Sequence, residues 1–290
     1  MDEFEVTLKA RELIKKVNTT QLVAPIEEYA KSVGAKIKYQ DDLEDGQSGY
    51  SFQHGEKLFI VINKNENPER QRFTACHEIA HIYLGLPSEH EGLSWWSQSK
   101  RPQNEKLCDL FAAALLLPTH LLKPLADKSE IGLATIDELA ESFEASVTST
   151  GSQYATVLGT PCAFVLSENG KVRNTSRSTA LREARAWIPP GSPVPTGSIT
   201  QRLRDGVRID EAEEVDAELW FENWTRGGVL LEEARYLSKW DQTLTLLWFE
   251  EGEVPEASRE RARPTEDDDE PLLRELTGDL PWPGRSKRKK

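Results

Sequence analysis

Apolar positions recur at helical spacing over residues 3–17 and 20–33, and Gly34 offers a positive-φ stop to the second run. Strand-like runs follow at 36–39, 49–53 and 57–63. The third, Lys57-Leu58-Phe59-Ile60-Val61-Ile62-Asn63, is apolar and β-branched enough to lie in a sheet. Asn67-Pro68-Glu69 then reads as a helix start, with an Asn cap, proline at the first helical position and an acid in the first turn. Gly85 and Pro87 close that segment, which predicts a helix over about 68–84. Another helix is predicted from about 103 to Leu117, stopped by Pro118.

Two shorter helices are predicted between Ala134 and Leu158, with a break near Ser146. Beyond Pro161 the texture changes to short strands and turns. Cys162–Ser167 and Lys171–Ser176 flank the turn Glu168-Asn169-Gly170, and a loop covers Pro189 to Gly197. Residues 215–224, 228–237 and 243–250 read as strands, with Leu219, Trp220, Phe221, Trp224, Leu244, Leu246, Leu247, Trp248 and Phe249 as core candidates. The last forty residues differ again. They hold 5 of the 16 prolines, an acidic run from Glu266 to Glu270, and the basic end Arg285-Ser286-Lys287-Arg288-Lys289-Lys290. That is the composition of a disordered, solubilising tail, with a docking segment around Leu272, Leu273, Leu276 and Trp282 as the sharper alternative.

Composition bounds what this pattern can do. The 290 residues suit two small domains with extras, and 38% hydrophobic content with eight Trp rules out global disorder. The longest apolar run, Leu110 to Leu117, falls far short of the roughly 20 residues that span a bilayer. The acidic opening, Met1-Asp2-Glu3-Phe4-Glu5, does not resemble a signal segment, and Cys76, Cys108 and Cys162 are too scattered for a disulfide framework. The expectation is a soluble, cytoplasmic protein with no membrane partner. A net charge of −13, of which −11 falls in residues 1–250, makes direct nucleic-acid binding a poor expectation.

The predicted helix at 68–84 carries His77-Glu78-Ile79-Ala80-His81, an H-E-x-x-H motif. Positions four apart on a helix differ by about 40° around the axis, so both imidazoles face one way and suit a single Zn²⁺. Glu78 lies about 100° from His77, where a base acting on activated water belongs. A third ligand must come from elsewhere, and Glu105 and Asp109 on the next helix can both reach. Glu105 has the longer arm and sits at the helix start, which favours it. Asp109 then suits capping or a bond to a ligating histidine. A Cys108 thiolate would close the site as a structural one, so packing between helices is the simpler role. Cys76 also reads as core, and Tyr83, about 200° from His81, should face the core and not the metal. His54, His90 and His120 lack partner spacing and read as surface or loop residues.

Two linked segments resemble the ImmA/IrrE family of metallopeptidases. They are Arg70-Gln71-Arg72-Phe73-Thr74-Ala75-Cys76-His77-Glu78-Ile79-Ala80-His81, and the stretch Glu105-Lys106-Leu107-Cys108-Asp109-Leu110-Phe111-Ala112 continuing through Leu116-Leu117-Pro118. Cys108 stands where the family has a small Ala. The resemblance covers roughly residues 5–125. It implies that His77, His81 and Glu105 ligate the metal and that Glu78 is the catalytic acid/base. Leu139-Ala140-Glu141-Ser142-Phe143 through Val147 is similar to the helix-turn-helix-like segment that follows the family's peptidase core, but the helix after it has no Arg or Lys, which favours a structural connector.

The expected fold class is therefore α+β. A zincin-like metallopeptidase domain at 1–125 holds the H-E-x-x-H helix and a small antiparallel sheet. A helix-turn-helix-like connector at 126–160, a β-rich, sensor-like domain at 161–250 and a charged tail at 251–290 complete it. The resemblance implies a zinc-dependent endopeptidase, with manganese as the other candidate metal. Its substrate would be a helix-turn-helix transcriptional repressor cut at one site, relieving repression under stress or in a mobile element. Substrate is expected to pair as a strand with an edge formed by residues 57–63. The rival readings are a metal-binding module that sequesters a repressor without cutting it, and a ligand sensor built on residues 161–250.

Overall fold

The computed structural model describes residues 1–44, 46–88 and 102–250. His90 and the forty-residue tail lie outside the described residues. The chain opens with α1 (Glu3–Val17), whose first turn is held by a capping box between Asp2 and Glu5. Helix α2 (Ile26–Ser32) is shorter than the predicted 20–33. Pro25 explains the difference, since its ring and missing N–H keep a helix from running through it.

Strands β1 (Ala35–Gln40), β2 (Gly49–His54) and β3 (Lys57–Asn63) form one sheet in the order β1-β3-β2. This sheet is mixed, not antiparallel as expected: β1 runs parallel to β3, and only the β2–β3 hairpin is antiparallel. It also places β3 in the centre, which corrects the expectation that 57–63 forms an edge. The most apolar strand takes the place where both of its sides are paired, with Ile60 and Ile62 fully buried. Of the two edges, β2 is the one that contacts the helix at Pro68–Leu84.

Helix α3 (Pro68–Leu84) packs on this sheet and on α4 (Gln103–Leu116). Helix α5 (Thr119–Ala126) follows directly and was not foreseen, because Pro124 inside it masks the helical pattern. Next come α6 (Leu133–Phe143) and α7 (Val147–Val157), broken at Ser146 as expected, where the Ser side chain caps α7. No single helix among the described residues is long and apolar enough to cross a membrane.

A five-stranded sheet completes the fold, ordered β5-β4-β8-β7-β6. Its strands are β4 (Cys162–Glu168), β5 (Lys171–Arg177), β6 (Glu213–Asp216), β7 (Val229–Leu237) and β8 (Gln242–Trp248). Alternation along the inner strands gives each face its own core. Cys162, Phe164, Leu166, Leu244, Leu246 and Trp248 join the core shared with the helices. Ala163, Val165, Leu247 and Phe249 join a second core with Trp220, Phe221 and Trp224. Short helices α8 (Thr179–Glu183), α9 (Ile199–Arg204) and α10 (Ala217–Trp220) lie between strands on the chain. The predicted strand at 215–224 is thus a strand only to Asp216. One helical turn then carries Trp220 and Phe221 into the second core, where burial outweighs extended pairing. All the predicted core residues of this region are buried except Leu219, which packs partly against the same cluster.

Candidate metal centre

Local sequence builds the central helix of the site. The Asn67 side chain accepts from the Arg70 backbone N–H at 2.8 Å, and Pro68 occupies the first turn. At the other end Gly85 takes a left-handed conformation, φ 66°, and the chain reverses. That reversal brings the Leu86 carbonyl to 3.1 Å from His81 Nδ1.

His77, His81 and Glu105 are brought together and buried, with 4%, 5% and 2% of their surfaces exposed. His77 Nε2 and His81 Nε2 are 3.1 Å apart. Glu105 Oε2 lies 3.1 Å from His77 Nε2, and Glu105 Oε1 lies 3.4 Å from His81 Nε2. Ligands held at roughly 2.0–2.1 Å in a tetrahedral set stand roughly 3.3 Å from one another. The two ring nitrogens and the Glu105 carboxylate therefore fit a single small cation. Their far sides fit as well: His81 Nδ1 donates to the Leu86 carbonyl, and His77 Nδ1 sits 3.0 Å from Asp109 Oδ1. Each contact puts the ring proton on Nδ1 and leaves Nε2 with a lone pair aimed at the cluster.

The electrostatics agree with this arrangement. Burial opposes a charge on His77, but its contacts with Asp109 and Glu105, and the charge of Glu78, outweigh that cost. The imidazole is raised from 6.5 to about 9.

Glu78 is 1% exposed and accepts from Ser51 Oγ at 2.8 Å across the gap between α3 and β2. Of the other sequence candidates, Cys76 and Cys108 are fully buried in the shared core, and burial pushes the Cys76 thiol up to about 12. Tyr83 packs partly buried against that core, with its ring 5.5 Å from Phe111. His54 is exposed, and His120 Nε2 contacts the Thr19 carbonyl at 3.1 Å. Two partners of the site escaped sequence reasoning, Ser51 and the Leu86 carbonyl. A backbone oxygen has no sequence signature beyond Gly85, and Ser51 is separated from Glu78 by 27 positions.

The helix-borne His77, His81 and Glu105, with the Glu78 carboxylate adjacent on α3, form a donor set that could hold one metal ion. Residues 30–151 match the family model described as IrrE N-terminal-like domain. The chain is 31% identical over 155 residues to "Radiation response metalloprotease IrrE" of Deinococcus deserti, covering 47% of this chain and 53% of that protein. It is 28% identical over 161 residues to the protein of the same name from Deinococcus radiodurans, covering 47% and 48%. The chain spans about half the length of the curated relatives it matches. A solved structure titled "Mycobacterium tuberculosis transcriptional regulator" shares the fold with a TM-score of 0.53 at 14% identity, over 84% of this chain and 75% of that one.

Proposed function

We propose that this protein is a zinc-dependent endopeptidase whose substrate is a helix-turn-helix transcriptional repressor. The convergence of His77, His81 and Glu105 beside Glu78 carries the reading, supported by the named metalloproteases that the chain resembles. His77, His81 and Glu105 hold the metal. When bound, it supplies Lewis-acid chemistry, polarising the scissile carbonyl and making an attacking water more acidic.

The remaining steps belong to the chain. Glu78 takes a proton from the water as it attacks the carbonyl carbon and delivers it to the leaving amine. Asp109 and the Leu86 carbonyl keep both imidazoles in the ligating tautomer. Strand β2 pairs only with β3 among the described residues, so its outer edge is where an extended substrate segment adds as a strand. The net charge of −13 favours a basic, DNA-binding substrate.

The test is incubation of the zinc-loaded protein with the repressor encoded nearest its gene, followed by intact-mass measurement. Two fragments summing to the repressor plus one water are expected. An intact repressor that nonetheless binds the zinc-loaded protein would support sequestration and overturn the peptidase reading.

A further inference from the structure

The structure points to a positioning residue for the proposed hydrolysis that lies outside the metal motif. Residues 49 and 51 share one face of β2, the face toward α3, because side chains two apart in a strand point the same way. On that face Gly49 meets Thr74 and Ser51 meets Glu78. A Cβ placed at Gly49 would lie 2.6 Å from Thr74 Cγ2 and 2.6 Å from the Val61 carbonyl oxygen. Only glycine lets the strand lie this close to the helix.

The two contacts are in step. From 49 to 51 the strand advances roughly 6.6 Å, and from 74 to 78 the helix advances roughly 6 Å. The Gly49–Thr74 approach therefore sets the separation that Ser51 uses one helical turn further on. Its hydroxyl donates to Glu78 Oε2 at 2.8 Å. Glu has three rotatable bonds and Ser only one, so the strand-borne hydroxyl restricts the more mobile partner.

We propose that Ser51 is a positioning residue for Glu78: its hydroxyl binds one carboxylate oxygen and fixes the orientation in which the carboxylate takes the proton from the attacking water. The inference rests on the peptidase reading above. No proton moves through Ser51; its hydrogen bond to the carboxylate persists while the carboxylate is protonated and then deprotonated. A Cβ at Gly49 would widen the same gap, so the glycine serves the same end.

The test compares wild type, Ser51→Ala and Ser51→Thr, each loaded with zinc, in repressor cleavage and in crystal structures. Ser51→Ala is expected to lower kcat about tenfold, as loss of a hydrogen bond to a charged group implies, with KM within about twofold. Zinc stoichiometry should stay at one per chain, and Ser51→Thr should restore kcat to within about threefold of wild type. In crystals, Glu78 should hold one rotamer in wild type and Ser51→Thr and spread over several in Ser51→Ala. Unchanged kcat in Ser51→Ala, or a fall that Thr does not rescue, would overturn the proposal. So would an unchanged single Glu78 rotamer in Ser51→Ala. Absence of cleavage by wild type would instead count against the peptidase reading, and the crystal comparison would still decide whether Ser51 holds Glu78.

Discussion

Two buried carboxylates in this molecule sit in opposite kinds of surroundings. Glu232, on β7, is fully buried in the five-stranded sheet. Its Oε1 accepts from the Thr200 backbone N–H at 2.8 Å and the Thr200 hydroxyl at 2.7 Å, and its Oε2 accepts from Trp220 Nε1 at 2.9 Å. The Thr200 oxygen is left to accept from Thr245 Oγ1 at 2.6 Å. Each of these hydrogen-bond partners is a neutral donor whose hydrogen stays where it is, so both carboxylate oxygens are satisfied without a cation between them. Glu105 has the reverse arrangement. Its neighbours are two ring nitrogens whose protons are drawn to the far side by Asp109 and the Leu86 carbonyl, leaving lone pairs facing lone pairs. That arrangement needs a cation or a proton at its centre. Burial of an acid does not identify a functional site, but the direction of its neighbours' hydrogens does.

The contrast is broken most severely by exchanging each acid for its amide. Glu105→Gln removes one of three metal donors and is expected to weaken zinc affinity by more than about 100-fold, measured by competition with a chromophoric chelator. Glu232→Gln puts an amide NH₂ against donors that it cannot accept from. It should cost about 2–3 kcal/mol in denaturant unfolding while leaving zinc affinity within about threefold. Saturating zinc should then raise the melting temperature of wild type and Glu232→Gln by similar increments, and that of Glu105→Gln by much less. Equal zinc responses in all three would mean that the metal sits elsewhere.

Next in size is the pH dependence of metal binding. Because His77 is raised from 6.5 to about 9 in the metal-free fold, the proton's contribution to stability is full below about 6.5 and is lost as pH rises through about 9. Zinc must displace that proton, so affinity should rise by up to about tenfold per pH unit across this window. Calorimetry at pH 7.5 in buffers of different ionisation heat should report about one proton released from His77 per zinc bound. No proton release would contradict the geometry. The smallest effect expected is for Asp109→Asn, which keeps the size and weakens the hold on His77 Nδ1. Zinc affinity should fall about 10-fold to 100-fold with zinc still bound at one per chain.

Legibility in the sequence followed the range of the forces. Helix α3 was readable to its end residues because Asn67, Pro68 and Gly85 act within one turn, and His77 and His81 are neighbours on that same helix. Glu105 was readable from arm length and place on the next helix, and the structure puts it beside both histidines. Strand order was not readable. The apolar character of β3 says that it is buried, not that β1 joins it in parallel and leaves β2 outermost. The Ser51–Glu78 contact depends on that order and on how closely Gly49 lets the sheet approach α3, both of them tertiary facts. The helical turn at Ala217–Trp220 was hidden for a related reason, since the pull of Trp220 toward Glu232 and the second core comes from residues distant along the chain. Pro124 concealed α5 because a local breaker is tolerated there by packing, with Leu122 and Ala126 buried on either side.

The most direct test of the whole account is Glu78→Gln, read simultaneously for zinc content and for repressor cleavage. In the proposed reaction Glu78 is the base and not one of the three metal donors, so the account predicts one zinc per chain, as in wild type, with cleavage reduced at least about a thousandfold. Undiminished cleavage with zinc still bound would contradict it.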